Sequence, residues 1–391
     1  MLTSLVARAA FAGCCTAASA GVLAQAASAP AQAASGASAA LPLAHPQTSV
    51  LVEGLLKAWY APAARRFGGD GDALVDRAQA WCASGAQNPT PTTRDPALDA
   101  ARQAWVQAMA SWTRLSAVQI GPLLERHSDT RLDFQPMRPA ALDKVIANPI
   151  ANDGPQTDRD ATGRPPRGTG SPGSGPSWAR EWAMDRVGAQ ARGLPAMEYL
   201  LWKKPAAPRT PACAYLVVLA RDLRDEAREL ALAYAGEAAA TRSAEQAAAW
   251  FNTYVNQWLA GMGRMRWRDL EMPVRSWGME QAPRAASGQT ALAWRERWLA
   301  LRVPTAGGAG APDGLVSLTS YLRARGLAAS ADALARDTAL ADAALQGATP
   351  ATPSAQLLDA AKRVDFVTHT IAREVSTQLQ IQLEFSADDG D

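Results

Sequence analysis

At 391 residues the chain exceeds the ~100 to 200 residues of a typical single core, so its length favours two domains. Its 39 basic and 37 acidic residues leave a net charge of +2, and no basic stripe is interleaved with aromatics, which excludes a nucleic-acid footprint. Alanine is abundant, β-branched residues are scarce and 13 Trp are spread over amphipathic stretches, a composition that calls for an all-α fold with a core of Trp, Leu and Ala.

In chain order, Arg8 precedes a small, apolar segment, and small residues between Ala24 and Ala29 offer cleavage sites of the A-x-A kind. Residues 1–26 therefore read as an export signal, and the mature chain has no transmembrane segment, because ~20 strongly apolar residues would be needed to span a bilayer. FAGC at residues 11–14 resembles a lipobox, so a lipid anchor on Cys14 is the alternative to cleavage beyond it. Residues 27–44 are of low complexity and read as a tether. Loss of Cys14 and Cys15 would leave Cys82 and Cys213, which an oxidising compartment would join in one disulfide, the alternative being two separate buried thiols.

Leu51, Leu55, Leu56 and Trp59 recur at helical spacing and predict a helix over 49–67 that ends near Pro62 or Gly68-Gly69; a second follows over 72–82. Asp95-Pro96 supplies an N-cap and a first-turn proline for a long helix over 95–127, with Leu98, Ala101, Trp105, Ala108, Met109 and Trp112 on one face. Residues 131–136 are expected to be an extended or turn segment, since Pro136 and Pro139 oppose a helix. Residues 148–176, dense in Gly and Pro, read as a flexible insertion. Helical patterning resumes over 177–202, and Pro205, Pro208 and Pro211 mark an approach to a boundary. Further helices are expected over 212–236, 243–262, 290–302, 315–325, 330–346 and 354–383. The organisation expected is one helical bundle domain over 45–210, carrying the insertion, and a second over 211–391.

The three histidines, His45, His127 and His369, stand alone, and HExxH, GxSxG, P-loop and dinucleotide-binding patterns are absent. No residue is assigned a catalytic role. The stretch that departs from ordinary helix chemistry is GLPAMEYLLW at 193–202. A helix interior disfavours Gly by ~1 kcal/mol and Pro by ~3 relative to Ala, yet both precede a lone carboxylate, Glu198. On a helix Glu198 shares a face with Leu194, Leu201 and Trp202, beside the apolar stripe. The plain reading is that Pro195 opens a helix whose first turn Glu198 complements. A partly buried carboxylate would still need partners, which Arg131, Arg192 or a Trp N–H could supply.

GLPAMEYLLW closely resembles the Gly-x-His-x-x-Glu region of the imelysin-like proteins, in the branch that reads G-L-P-A-L-E-Y-L-L-F. IGPLLERHSDTRLDFQP at 120–136 is similar to that family's Gly-Pro and R-x-D-F-x-P segment, CAYL at 213–216 to its R-C-A-Y-L, and FSADDGD at 385–391 to its C-terminal F-N-x-x-D-G-D. The resemblance implies an all-α fold of two four-helix-bundle-like domains, a periplasmic location, a link to iron acquisition and partners among iron-uptake or envelope proteins. It also carries an old assignment as a metal-dependent peptidase, but Pro195 stands where the motif has His and cannot ligate a metal. Transferred by position, the site is Gly193, Pro195 and Glu198, with Trp202, Arg131 and Asp133 beside them, and Glu198 as the residue that could hold a divalent metal or iron. Gly193 would permit close approach of another element, and Pro195 would aim Glu198 into a cleft between the bundles. The reading favours binding over catalysis; a peptidase and a helical partner-binding module without a small-molecule site are the alternatives.

Overall fold

The chain's longest hydrophobic pattern forms one nearly continuous helical rod. The structure, a computed structural model, describes residues 41–84, 95–148 and 182–384. The rod comprises α1 (Pro46–Gly54), a π-helical turn (Leu55–Tyr60) and α2 (Ala61–Ala83). The stops expected at Pro62 and Gly68-Gly69 do not occur. Pro62 falls in the first turn after the π-helical segment, where its missing N–H is least costly. Gly68 and Gly71 instead face Ala227, Ala231, Leu223 and Arg224, so their lack of a side chain lets a partner helix come close.

That partner is the helix over Pro211–Ala239, α8. α3 (Pro96–Leu115) begins at the N-cap expected, with Asp95 accepting from the Ala97 and Leu98 N–H groups. It stops at Leu115 instead of running to residue 127, because the chain turns through Gly121 at φ +48° into the short α4 (Pro122–Glu125) and α5 (Ser128–Leu132). Part of the segment expected to be extended or a turn, Arg131 and Leu132, is thus helical. Pro139 then opens α6 (Pro139–Ala147), a helix the sequence reading had not singled out; at the first helical position proline's missing N–H costs little. α7 (Gly193–Glu198) is followed by a π-helical turn (Tyr199–Lys203), and α8 (Pro211–Ala239) by α9 (Ala244–Arg264), whose start is closed by a reciprocal Ser243–Gln246 capping box.

Two π-helical turns, Met265–Glu271 and Pro273–Trp277, prolong α9. The remaining helices are α10 (Thr290–Ala306), α11 (Leu318–Ala324), α12 (Ala328–Leu345), α13 (Ser354–His369) and α14 (Ser376–Leu379). No strand occurs among the described residues, so the fold is all-α. One group of helices forms where α2 packs against α3 and α8, with α7 alongside; a second brings α10, α11, α12 and α13 together with α9 and its π-helical extension. The packing crosses the boundary expected at residue 210 in both directions. α8 completes the first group, α1 packs on α9 and α11 in the second, and α3 lies against α10. Residues 41–44, expected in the tether, are fastened to the fold: Leu41 N–H donates to the Gln378 carbonyl at 2.8 Å and Arg325 to the Pro42 carbonyl at 2.6 Å.

Cys82 on α2 and Cys213 on α8 form a disulfide with Cα atoms 5.5 Å apart. It closes a loop of 131 residues and should contribute about 2 to 4 kcal/mol by restricting the unfolded chain. The core holds Trp81, Trp105, Trp112 and Trp258 with almost no exposure. Their indole N–H groups donate to the Ala206 and Leu194 carbonyls, to Asp133 and to Thr305, so that burial of each polar edge is compensated. The signal, most of the tether, most of the insertion and the FSADDGD motif lie outside the described residues.

Candidate ligand-binding site

Gly193 starts α7 at φ +68°, a left-handed conformation, and a Cβ there would run into the Leu132 carbonyl. Glycine therefore meets two demands at once, the backbone geometry and the close approach of the Arg131–Asp133 segment. Pro195 follows within the first turn, where its ring is compatible with helix, and all six residues of α7 are buried. Glu198 ends the helix at 6% exposure, which makes its hydrogen-bond partners decisive.

Those partners come from a loop the sequence had not singled out. Ser287 donates to Glu198 Oε1 twice, from its N–H at 2.8 Å and its Oγ at 2.7 Å. Arg284, itself buried, places Nη1 3.9 Å from Glu198 Oε2 and donates from Nη2 to Asp133 Oδ1 at 2.5 Å. Its backbone sits at φ +66°, a conformation that strains a residue with a side chain and that recurs where function fixes geometry. Asp133 is further held by Trp112 Nε1 at 3.2 Å and Gln135 Nε2 at 3.4 Å. Arg284 also lies over the Trp105 ring, 5.6 Å from its centroid, and Trp202 meets Trp105 edge-on at 5.0 Å.

The structure thus joins Glu198 and Asp133 through Arg284 and connects Trp202 to them only through Trp105. It takes Arg131 elsewhere. Arg131 donates to Asp222 at 2.7 Å and Glu226 at 2.6 Å, while Arg192 donates to both oxygens of Asp222 at 3.0 and 2.8 Å. Neither arginine serves Glu198, because Asp222 and Glu226, buried on α8, take up both guanidiniums. Arg126 and Ser128 complete this clamp on Glu226 at 2.8, 2.9 and 2.6 Å. Burial alone would raise the Glu226 carboxyl, but the bonds from Arg126 and Ser128 and the charge of Arg131 outweigh it and hold the group below its usual range.

On the other side of Asp133 and Arg284 a pocket of about 210 Å³ opens where the two helical groups meet. α3 contributes Trp112 and Thr113, the segment after it Gln119, α5 Asp129, the end of α9 Arg264, and α10 Trp294 and Arg297. Arg268 and Asp269 enter from the π-helical turn, an insertion that often marks functional sites. Arg297 is paired with Asp269 at 2.6 Å. Arg264, at the end of α9, is pushed down to about 10 by burial and then by repulsion from Arg297 and Arg268, so it remains a cation at neutral pH.

A metal does not fit Glu198. One of its oxygens is engaged by Ser287, the other faces an arginine, Pro195 one turn earlier offers no ligand atom, and no group of three or more His, Cys, Asp or Glu among the described residues could hold an ion. Arg284 and Ser287 escaped sequence reading because they lie in a Gly- and Pro-bearing loop with no periodicity. Arg264 and Arg268 offered only a four-residue spacing at the end of a helix.

An all-helical protein with a polar pocket at the meeting of two helix groups is the class that this fold and site define. The imelysin family model matches residues 61–380, and the chain belongs to that family. Its fold is similar to the crystal structure of an imelysin-like protein from Psychrobacter arcticum 273-4, at 17% identity and a TM-score of 0.65, covering 87% of this chain and 97% of that one. It is also similar to an iron-regulated protein A precursor from Parabacteroides distasonis ATCC 8503, at 14% identity and a TM-score of 0.61, covering 83% of this chain and 94% of that one. No curated protein matches the sequence.

Proposed function

We propose that the protein is a periplasmic binding or accessory component of iron acquisition, working with iron-uptake or envelope proteins, and that its ligand cleft lies beside the Gly193-x-Pro195-x-x-Glu198 motif. The observation that carries this reading is Arg284: a buried arginine in a strained loop that ties Glu198 to Asp133 and forms the wall of the pocket. A motif that served only to start a helix would not need a second element bent into the left-handed region to complete it. The similarity to a protein described as iron-regulated supports the iron connection, and the sequence features of residues 1–26 support export. No helix among the described residues is long and apolar enough to cross a membrane.

The peptidase alternative is disfavoured by the donor set, since Glu198 is engaged by Ser287 and Arg284 and no cluster of companion ligands is found among the described residues. Deletion of the coding sequence should slow growth under iron limitation. The wild-type chain should restore growth, while Glu198→Gln should restore it incompletely although it accumulates in the envelope. Normal growth of the deletion strain at every iron level would sink the iron connection. Peptide hydrolysis abolished by chelation and by Glu198→Gln would reinstate the peptidase.

A further inference from the structure

The pocket beside Arg284 is furnished with hydrogen-bond donors that the protein does not use. Trp294 is 3% exposed and Gln119 5%, yet neither Trp294 Nε1 nor Gln119 Nε2 has a partner among the described residues. Arg284 Nη1 is likewise buried and without a hydrogen bond. Buried donors are almost always satisfied, and other indoles of this core, those of Trp81, Trp105, Trp112, Trp258 and Trp298, do find acceptors. Arg284 Nη1 faces Glu198 Oε2 at 3.9 Å, but Trp294 and Gln119, on two separate elements, both line one pocket, and their open donors point to an acceptor that comes from outside.

The charges point the same way. Four arginines line the pocket against three aspartates. Arg284 is spent on Asp133 and Arg297 on Asp269, whereas Arg264 and Arg268 make no ion pair or side-chain hydrogen bond among the described residues. Asp129 is the one carboxylate of the lining left to face them. A bare cation entering here would meet four guanidiniums. An oxygen-bearing anion would meet planar forks suited to it and would supply the acceptors that the orphaned donors lack.

We propose that this pocket binds a small oxyanion, a carboxylate- or phosphate-bearing molecule, received by Arg264 and Arg268 and by the Trp294 and Gln119 N–H donors. The inference rests on the ligand-cleft reading above and names the chemical class of its ligand. A pocket of about 210 Å³ has room for a small organic anion. The indoles of Trp112 and Trp294 give the pocket flat apolar walls against which a carbon skeleton can lie.

Calorimetric titration of the purified mature chain with citrate, succinate and inorganic phosphate, at fixed ionic strength set with chloride, tests the proposal. One saturable site for at least one of the three is expected, and the comparison of citrate and succinate with phosphate separates a carboxylate ligand from a phosphate. Arg264→Gln and Arg268→Gln should each weaken binding at least tenfold, and Trp294→Phe about threefold or more. Arg336→Gln, exposed on α12 away from the pocket, should bind as wild type. Unchanged helical content and melting temperature in the variants would separate lost binding from lost folding. Failure of all three anions to saturate, or wild-type affinity in both arginine variants, would overturn the oxyanion. If the wild type then bound a cation or neutral molecule and Glu198→Gln weakened that binding, the cleft reading would stand without it; if it bound nothing, both would fall.

Discussion

Two arginine clusters meet the segment around Leu132, one through Arg131 and the other through Asp133. In the clamp, Arg126, Arg131 and Arg192 meet Asp222 and Glu226; in the pocket, Arg264, Arg268, Arg284 and Arg297 meet Asp129, Asp133 and Asp269. What differs is the pairing. Each clamp arginine donates to a carboxylate buried on α8, and the two carboxylates are shared by neighbours so that no acceptor faces empty space. In the pocket Arg264 and Arg268 are left without a carboxylate, and the Trp294 and Gln119 N–H donors without an acceptor. The contrast lies in the ion pairs: a cluster in which every arginine reaches a carboxylate fastens a fold, even though Arg131 Nε and Arg192 Nε stay unpaired there, whereas one that leaves arginines without a carboxylate beside a cavity is ready for a ligand and gives up stability to be so.

The most damaging change should be the one that moves the divider between the clusters. Gly193→Ala forces a Cβ into the Leu132 carbonyl at a left-handed backbone position, displacing Arg131 from one cluster and Asp133 from the other. Strain and overpacking together predict a loss of about 3 to 5 kcal/mol in chemical denaturation. A loss below 1 kcal/mol would show that the segment shifts freely and that the two clusters are not separated by this contact.

Next in size, Glu226→Gln should cost about 2 kcal/mol, because it removes a buried negative charge that three side chains share, while the half-exposed Arg126 and Arg131 keep access to water. The pH dependence has a definite sign. Since the folded carboxyl titrates below its unfolded counterpart, its contribution is fully present above the unfolded value of about 4.3 and is lost as pH falls through the lower folded one. Acid unfolding followed by circular dichroism should therefore be shallower in Glu226→Gln than in the wild type. An identical acid limb in both proteins would mean that the clamp is not fastening the fold.

Glu198→Gln is a smaller perturbation, about 1 to 2 kcal/mol, since one amide oxygen can still accept both Ser287 bonds while the amide nitrogen now faces Arg284. Arg264→Gln should lie at the other end of the scale. Removing a cation that burial and two neighbouring arginines disfavour should leave the ligand-free melting temperature unchanged or slightly higher, by less than about 0.5 kcal/mol in stability. Destabilisation by several kcal/mol would make Arg264 a structural member like Arg131 and erase the contrast between the clusters.

Helix type and the all-α class were legible in the sequence because they depend on local patterning. Asp95-Pro96 and Ser243 with Gln246 are caps written in a few residues, and the Trp and Leu stripes report which face is buried whatever they are buried against. GLPAMEYLLW announced its own oddity, and its glycine and proline sit where a start of helix permits them. Helix ends were less legible: Pro62 and Gly68 read as stops by propensity, but a preceding π-helical turn and the close approach of α8 overrode it.

The sequence by itself determined that the chain is helical, which helix faces are apolar and which short motif departs from helix logic, since each of these follows from neighbours within a few residues. Only the tertiary structure decided which charges meet. Arg131 and Asp133 are two residues apart, yet one goes to Glu226 and the other to Arg284, 151 positions away in the chain. A guanidinium can reach any carboxylate that packing brings within a few ångströms, and nothing in local spacing encodes which one that will be. The pocket is a product of the same packing: its walls come from α3, α5, α9 and α10, and its unpaired donors exist only because those helices meet.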